Sequence, residues 1–154
     1  MSCGNGGNNQ SGITKTIPPK EIGTSVPGIE KLNFTCTIGL KAGEDMRFDK
    51  ELFNVKAGKK IRLILNNSSR SMTHNEVILS QGTHIADFAD AVHNAREEQY
   101  TPSSVAPLII AHTKMVGVGE SDELEFIIPL AGVYDYICSF PGHWGTMQGK
   151  IVAE

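Results

Sequence analysis

Tyr136-Ile137-Cys138-Ser139-Phe140-Pro141-Gly142-His143-Trp144-Gly145-Thr146-Met147 is the stretch around which the rest of the 154-residue chain is organised. It brings a thiolate, an imidazole and a thioether together at C-x4-H-x3-M spacing. Singly, each is an ordinary core or surface residue. Jointly, with Phe-Pro-Gly between Cys and His, they are soft donors of the kind that select copper. A His2Cys set with a weak axial Met is the donor set of electron-transfer copper sites. The stretch lacks a second His, and His74, in Met72-Thr73-His74-Asn75, supplies it. We expect one type 1 copper ion per chain, alternating between Cu(I) and Cu(II), on His74, Cys138, His143 and Met147. Zinc is the rival, but structural zinc takes four Cys/His ligands, Met serves it poorly, and the chain has no C-x-x-C.

Working outward, the stretch reads as a loop between two neighbouring strands, residues 133–138 leading in and residues 148–152 leading out. Pro141 fixes one dihedral and Gly142 permits an unusual one, so a short loop can aim three side chains at one point. Asn75 and the backbone N–H of Ser139 are candidates to hold the thiolate and the rings from outside. Phe140, Pro141 and Trp144 are expected to frame a partly exposed edge of His143, through which electrons would pass.

The remainder is mostly period-two. Phe34, Cys36, Ile38 and Leu40 alternate with polar or small residues, and Ile61, Leu63 and Leu65 form a second apolar row. Leu124, Phe126 and Ile128 form a third, and residues 46–55, 76–79 and 108–113 add extended segments. Seven or eight short strands separated by turns predict an all-β, Greek-key β-sandwich. Residues 84–98 break the pattern: Ile85, Phe88, Ala89 and Val92 fall on one helical face, a short amphipathic helix inserted in the β domain. His84 and His93 lie in this insertion and read as surface histidines.

Residues 1–31 are Gly/Asn/Ser-rich and then Pro-punctuated, a flexible tail; residues 32–154 form the copper-binding domain. Cys3, followed by Gly4-Asn5-Gly6-Gly7, reads equally as the acylated Cys of a mature bacterial lipoprotein or as a plain tail thiol. One lipid group would tether the domain to a membrane surface. Cys138 is assigned to the metal, and whether Cys3 and Cys36 pair is left open by the sequence. The net charge of −3 gives no electrostatic footprint for nucleic acid. No apolar run reaches membrane-spanning length, and no secretory h-region is present.

Cys138-Ser139-Phe140-Pro141-Gly142-His143, with Met147 four residues on, resembles the ligand loop of the azurins. Residues 110–114 and 117–120 resemble a further azurin segment, and the helical insertion sits where azurins carry a helical flap. With its long tail, the chain is most similar to the auracyanins, azurin-like blue copper proteins (cupredoxins) of filamentous anoxygenic phototrophs. The resemblance implies a cupredoxin fold for residues 32–154 and a role as a photosynthetic electron carrier. It implies the copper ligands His74, Cys138, His143 and Met147, and a stiffening role for Asn75. Thr73 would present the backbone carbonyl that azurins present from a Gly. Cys36 matches the first Cys of the azurin disulfide, but Gly58-Lys59-Lys60 occupies the partner's region, which implies a free Cys36. His112 matches a surface His with no required redox role.

Three functions compete. A copper oxidase or nitrite reductase fragment would need a second copper centre, usually signalled by a His beside the copper Cys; here the neighbours are Ile137 and Ser139. A copper chaperone would favour an exposed Met/Cys/His cluster, and the five Met are scattered. The expectation is therefore a monomeric one-electron shuttle, not an enzyme. By resemblance it would take electrons from a quinol-oxidising complex and pass them to a reaction-centre cytochrome. It would work at the extracytoplasmic (periplasmic) face of the membrane, either peripheral or anchored through Cys3.

Overall fold

From Lys60 to Asn67 half-buried and buried side chains alternate without a break, as a strand with one face in a core requires. The structure, a computed structural model describing residues 3–4 and 36–154, repeats this solution along the chain. Its strands are β1 (Cys36–Ala42), β2 (Leu52–Val55), β3 (Lys60–Asn67), β4 (Val77–Leu79), β5 (Ile109–His112), β6 (Ser121–Ile127), β7 (Gly132–Ile137) and β8 (Gln148–Ala153). One helix, α1 (Ile85–Val92), and two 3-10 segments, Arg96–Glu98 and Ser103–Leu108, lie between β4 and β5.

The strands form two sheets, ordered β1-β3-β6 and β2-β8-β7-β4-β5. Both sheets are mixed: β1 runs parallel to β3 and β2 parallel to β8, while β3–β6, β4–β5, β4–β7 and β7–β8 are antiparallel. Leu40, Ile61, Leu63 and Leu65 of the first sheet meet Phe53, Ile78, Tyr136 and Ile151 of the second in one core. Gly149 lies under the Tyr136 ring, where a Cβ would come within 2.2 Å of Tyr136 Cζ and the hydroxyl oxygen. The expected sandwich of seven or eight strands with one inserted helix is therefore present.

β4 and the end of β7 show no alternation, because the insertion covers the outer face of the larger sheet there. Phe88 and Val92 of α1, with Val105, pack onto Val77, Leu79 and Ile137. A two-turn helix does not persist alone in water, so this contact is what keeps it folded. Burying Phe88 and Val92 supplies about 1.5–3 kcal/mol each. The helix is shorter than the residues 84–98 expected from sequence. It stops at Val92, and after the 3-10 turn Gln99 and Tyr100 take left-handed backbone conformations, φ 53° and 59°. His84 and His93 cap its two ends and are exposed, as expected.

The cysteine expectations are corrected. Cys36 is not free: it is disulfide-bonded to Cys3. The Cys3 sulfur is thereby used, so a thioether-linked lipid at Cys3, and a membrane tether through it, do not fit this structure. The Gly4 carbonyl also accepts a 3.2 Å hydrogen bond from the Asn54 N–H, which seats this piece of the tail on β2. Phe34 of the expected first strand, and the expected tail apart from Cys3 and Gly4, lie outside the described residues. Among the described residues no helix is long and apolar enough to cross a membrane.

Candidate metal centre

Cys138 follows the last residue of β7, and its loop returns as β8. The loop is closed at its base by Cys138 N–H donating to the Met147 carbonyl at 3.0 Å. Inside it, His143 N–H donates to the Phe140 carbonyl at 3.0 Å and Met147 N–H to the His143 carbonyl at 2.9 Å. Gly142, φ 83°, makes the turn that lets these bonds coexist. His74 arrives from the other side. Its N–H and carbonyl pair with Val116 at 3.1 and 2.7 Å. The preceding loop is wound around Asn67, whose side-chain amide donates to the Met72 and Val116 carbonyls at 2.8 and 3.0 Å. Asn67 Oδ1 accepts from the Ser69 N–H at 2.9 Å.

These arms bring His74, Cys138 and His143 together, with one ligand atom from each within 4.8 Å of the others. Cys138 Sγ lies 4.0 Å from His74 Nδ1 and 3.7 Å from His143 Nδ1. All three side chains are buried; His143 alone keeps any exposure, 7%. Met147 is fully buried in the same core and tied to Cys138 through its backbone.

Asn75 joins the two arms: its Oδ1 accepts from the Ser139 N–H and its Nδ2 donates to Ser139 Oγ, both at 2.8 Å. One expectation shifts here. The Ser139 N–H is spent on Asn75, and the N–H groups that face the sulfur are those of Asn75 and Phe140. Thr73 is half-buried at the entry to His74. Phe140 stacks on the His143 ring at 4.6 Å, and Pro141 beside it is half-buried. Trp144, next to His143 in the chain, is half-buried and packs against the cluster beneath α1.

The protonation states suit a metal. Burial pushes the Cys138 thiol up to about 11, against the pull of the two N–H groups. Burial, and then the neighbouring His143, lowers His74 to about 4, while the Gly43 carbonyl and Glu44 pull the other way. Burial also lowers His143. Both imidazoles are therefore neutral at pH 7, and the nitrogen that faces Cys138 Sγ, Nδ1 in each ring, can present a lone pair. Two neutral imidazoles, one thiol and a buried thioether fit copper. Copper ligands bind deprotonated, so Cu(II) uptake between pH 7 and 8 is expected to release about one proton per metal, that of Cys138. A pH-indicator titration in weak buffer checks this; release near zero, or of two or more protons, would contradict the assigned states.

Three residues here were not legible as part of the site. Glu76, next to Asn75, is fully buried without a partner for either carboxylate oxygen, and burial raises it to about 8, so it is protonated at neutral pH. Tyr100 reaches from the insertion to pack edge-on against Phe140, ring centres 5.3 Å apart. Glu44 grips the loop ahead of His74. His112 stays apart from the centre, exposed, its Nδ1 2.9 Å from the Thr113 carbonyl.

Comparison with known proteins agrees with this geometry. Residues 34–154 match the family model of copper-binding proteins of the plastocyanin/azurin family. Auracyanin-A of Chloroflexus aurantiacus is 36% identical over 122 residues, 78% of this chain and 74% of that protein. Azurin-1 of Alcaligenes xylosoxydans xylosoxydans is 30% identical over 124 residues, 75% of this chain and 95% of that protein. The crystal structure of dithionite-reduced auracyanin from the photosynthetic bacterium Roseiflexus castenholzii superposes with a TM-score of 0.71 at 32% identity, covering 79% of this chain and 98% of that one. The chain belongs to the plastocyanin/azurin family of copper-binding proteins.

Proposed function

We propose that this chain is a blue-copper electron carrier that would hold a single type 1 copper on His74, Cys138 and His143, with Met147 as a weaker fourth donor. The observation that carries this is the buried convergence of one sulfur and two imidazole nitrogens within 4.8 Å. Copper bound there would accept and return one electron. The chain's own residues do the rest. Asn75 and Ser139 lock the two arms, which limits geometric change between oxidation states. The Asn75 and Phe140 N–H groups stabilise the thiolate once its proton has left. The surrounding core keeps water out.

The carrier does no substrate chemistry, and residues 1–31 serve it as a tail to the domain at 32–154. It works as a monomer in a photosynthetic chain, accepting electrons from a quinol-oxidising complex and passing them to a reaction-centre cytochrome. The auracyanin relatives support that context. An extracytoplasmic location is supported by the Cys3–Cys36 disulfide, which persists in oxidising compartments. Voltammetry of the copper-loaded protein tests the function: a reversible one-electron wave without turnover of oxygen or nitrite is expected, and catalytic current would overturn it.

Electrons enter and leave at the His143 edge, framed by Phe140, Pro141 and Trp144. Trp144→Ala is expected to slow exchange with a redox partner several-fold while leaving the copper spectrum in place. Stopped-flow oxidation by a c-type cytochrome reads this, and an unchanged rate would remove Trp144 from the contact surface.

A further inference from the structure

The turn after β1 touches both arms of the metal centre. Glu44 Oε2 accepts from the Arg70 N–H at 2.6 Å and from the Ser71 N–H at 3.3 Å, while Oε1 accepts from the Ser71 hydroxyl. Arg70 and Ser71 belong to the loop that runs into His74. Two residues after Glu44, the Met46 carbonyl accepts from Thr146 Oγ1 at 2.8 Å, and Thr146 precedes Met147 in the ligand loop. The turn is itself held: Gly43 N–H donates to the Arg47 carbonyl at 2.9 Å, and Met46 is fixed in the left-handed region, φ 53°. The Ser68 N–H adds a 2.9 Å bond to the Ala42 carbonyl at the end of β1. Five consecutive residues thus clasp the approach to His74 on one side and the segment carrying Met147 on the other. A carboxylate is the group suited to this, because it accepts three hydrogen bonds at once, and charge-assisted bonds are the strong ones.

We infer that Glu44 is a positioning residue of the metal centre: its carboxylate fixes the loop that delivers His74, and its negative charge favours the more highly charged Cu(II) state. The second half rests on the copper reading above; the first does not. Glu44 is exposed, so replacing it leaves the core untouched.

The test uses full-length wild type, Glu44→Gln and Glu44→Asp. In the metal-free proteins, amide hydrogen exchange at Arg70 and Ser71 is expected to run about tenfold faster in Glu44→Gln, the size expected for a lost charge-assisted hydrogen bond. Exchange in β3 and β7 should stay as in wild type. In the copper-loaded proteins, the midpoint potential of Glu44→Gln is expected to shift positive. Glu44→Asp keeps the charge on a shorter arm, so its potential should stay nearer the wild-type value than that of Glu44→Gln, while the two amides still exchange faster. Unchanged exchange at Arg70 and Ser71 in Glu44→Gln would overturn the clasp, and an unmoved potential would overturn the electrostatic role. A wild-type protein that fails to give a blue copper spectrum would overturn the copper reading instead, leaving the metal-free exchange result standing.

Discussion

Cys138→Ser is expected to fold, to lose the intense thiolate-to-copper absorption entirely, and to bind Cu(II) far more weakly. The side chain sits fully buried where both ligand arms meet, with a ring nitrogen on either side at 3.7 and 4.0 Å. Serine nearly preserves the volume and keeps a polar hydrogen, so the metal-free fold should lose only about 1 kcal/mol. A hydroxyl, however, does not give up its proton at neutral pH, and without a thiolate there is no soft donor and no charge-transfer partner. Replacing an outer-shell partner costs about 10–100-fold in metal affinity, and losing this ligand should cost more. The visible spectrum and a copper titration, with thermal unfolding of the metal-free variant as the folding control, read all three. A Cys138→Ser protein that stayed blue would move the centre elsewhere.

Cys3→Ser is expected to produce the largest stability loss with the smallest spectral change. The disulfide joins residues 33 apart in sequence and ties the first described residues of the chain to the start of β1. Cross-linking over that separation removes chain entropy from the unfolded state, worth about 3–4 kcal/mol on the loop-entropy model. The disulfide lies away from His74 and Cys138, at the opposite end of β1 from the Glu44 turn, so the copper spectrum should hold. Urea unfolding of the oxidised wild type and of Cys3→Ser measures the difference in midpoint. Equal midpoints would mean that the pairing contributes nothing to the fold. Cys36→Ser should match Cys3→Ser, since either change removes the same bond.

The strands were legible wherever one face meets the core. β3 alternates perfectly, and the Leu124–Phe126 row reappears in β6 as buried residues between the exposed Glu123, Glu125 and Ile127. β4 was harder. Glu76, Val77, Ile78 and Leu79 are all buried, because the strand lies inside its sheet with the insertion over its outer face. A Glu there reads as a solvent-facing residue and is not one. The helix was overextended because His93-Asn94-Ala95-Arg96 holds no Gly or Pro to mark the stop after Val92.

The convergence of His74, Cys138 and His143 was legible because the Cys-to-His spacing is local and an upstream His-Asn is distinctive. What supports them was not. The Cys3–Cys36 bond crosses a Gly-rich segment with no fixed spacing, and Glu44 meets its partners only because β1 ends beside the loop after β3, at the Ala42–Asn67 end of their register. Long-range pairings of that kind follow from topology, and a single sequence does not write them down.

The most direct measurement is the visible spectrum of metal-free wild-type protein on adding stoichiometric Cu(II). An intense blue band that bleaches on reduction and returns on reoxidation is the predicted result. A colourless protein, or a pale Cu(II) spectrum without the thiolate band, would show that Cys138 does not hold copper and would contradict the electron-carrier account.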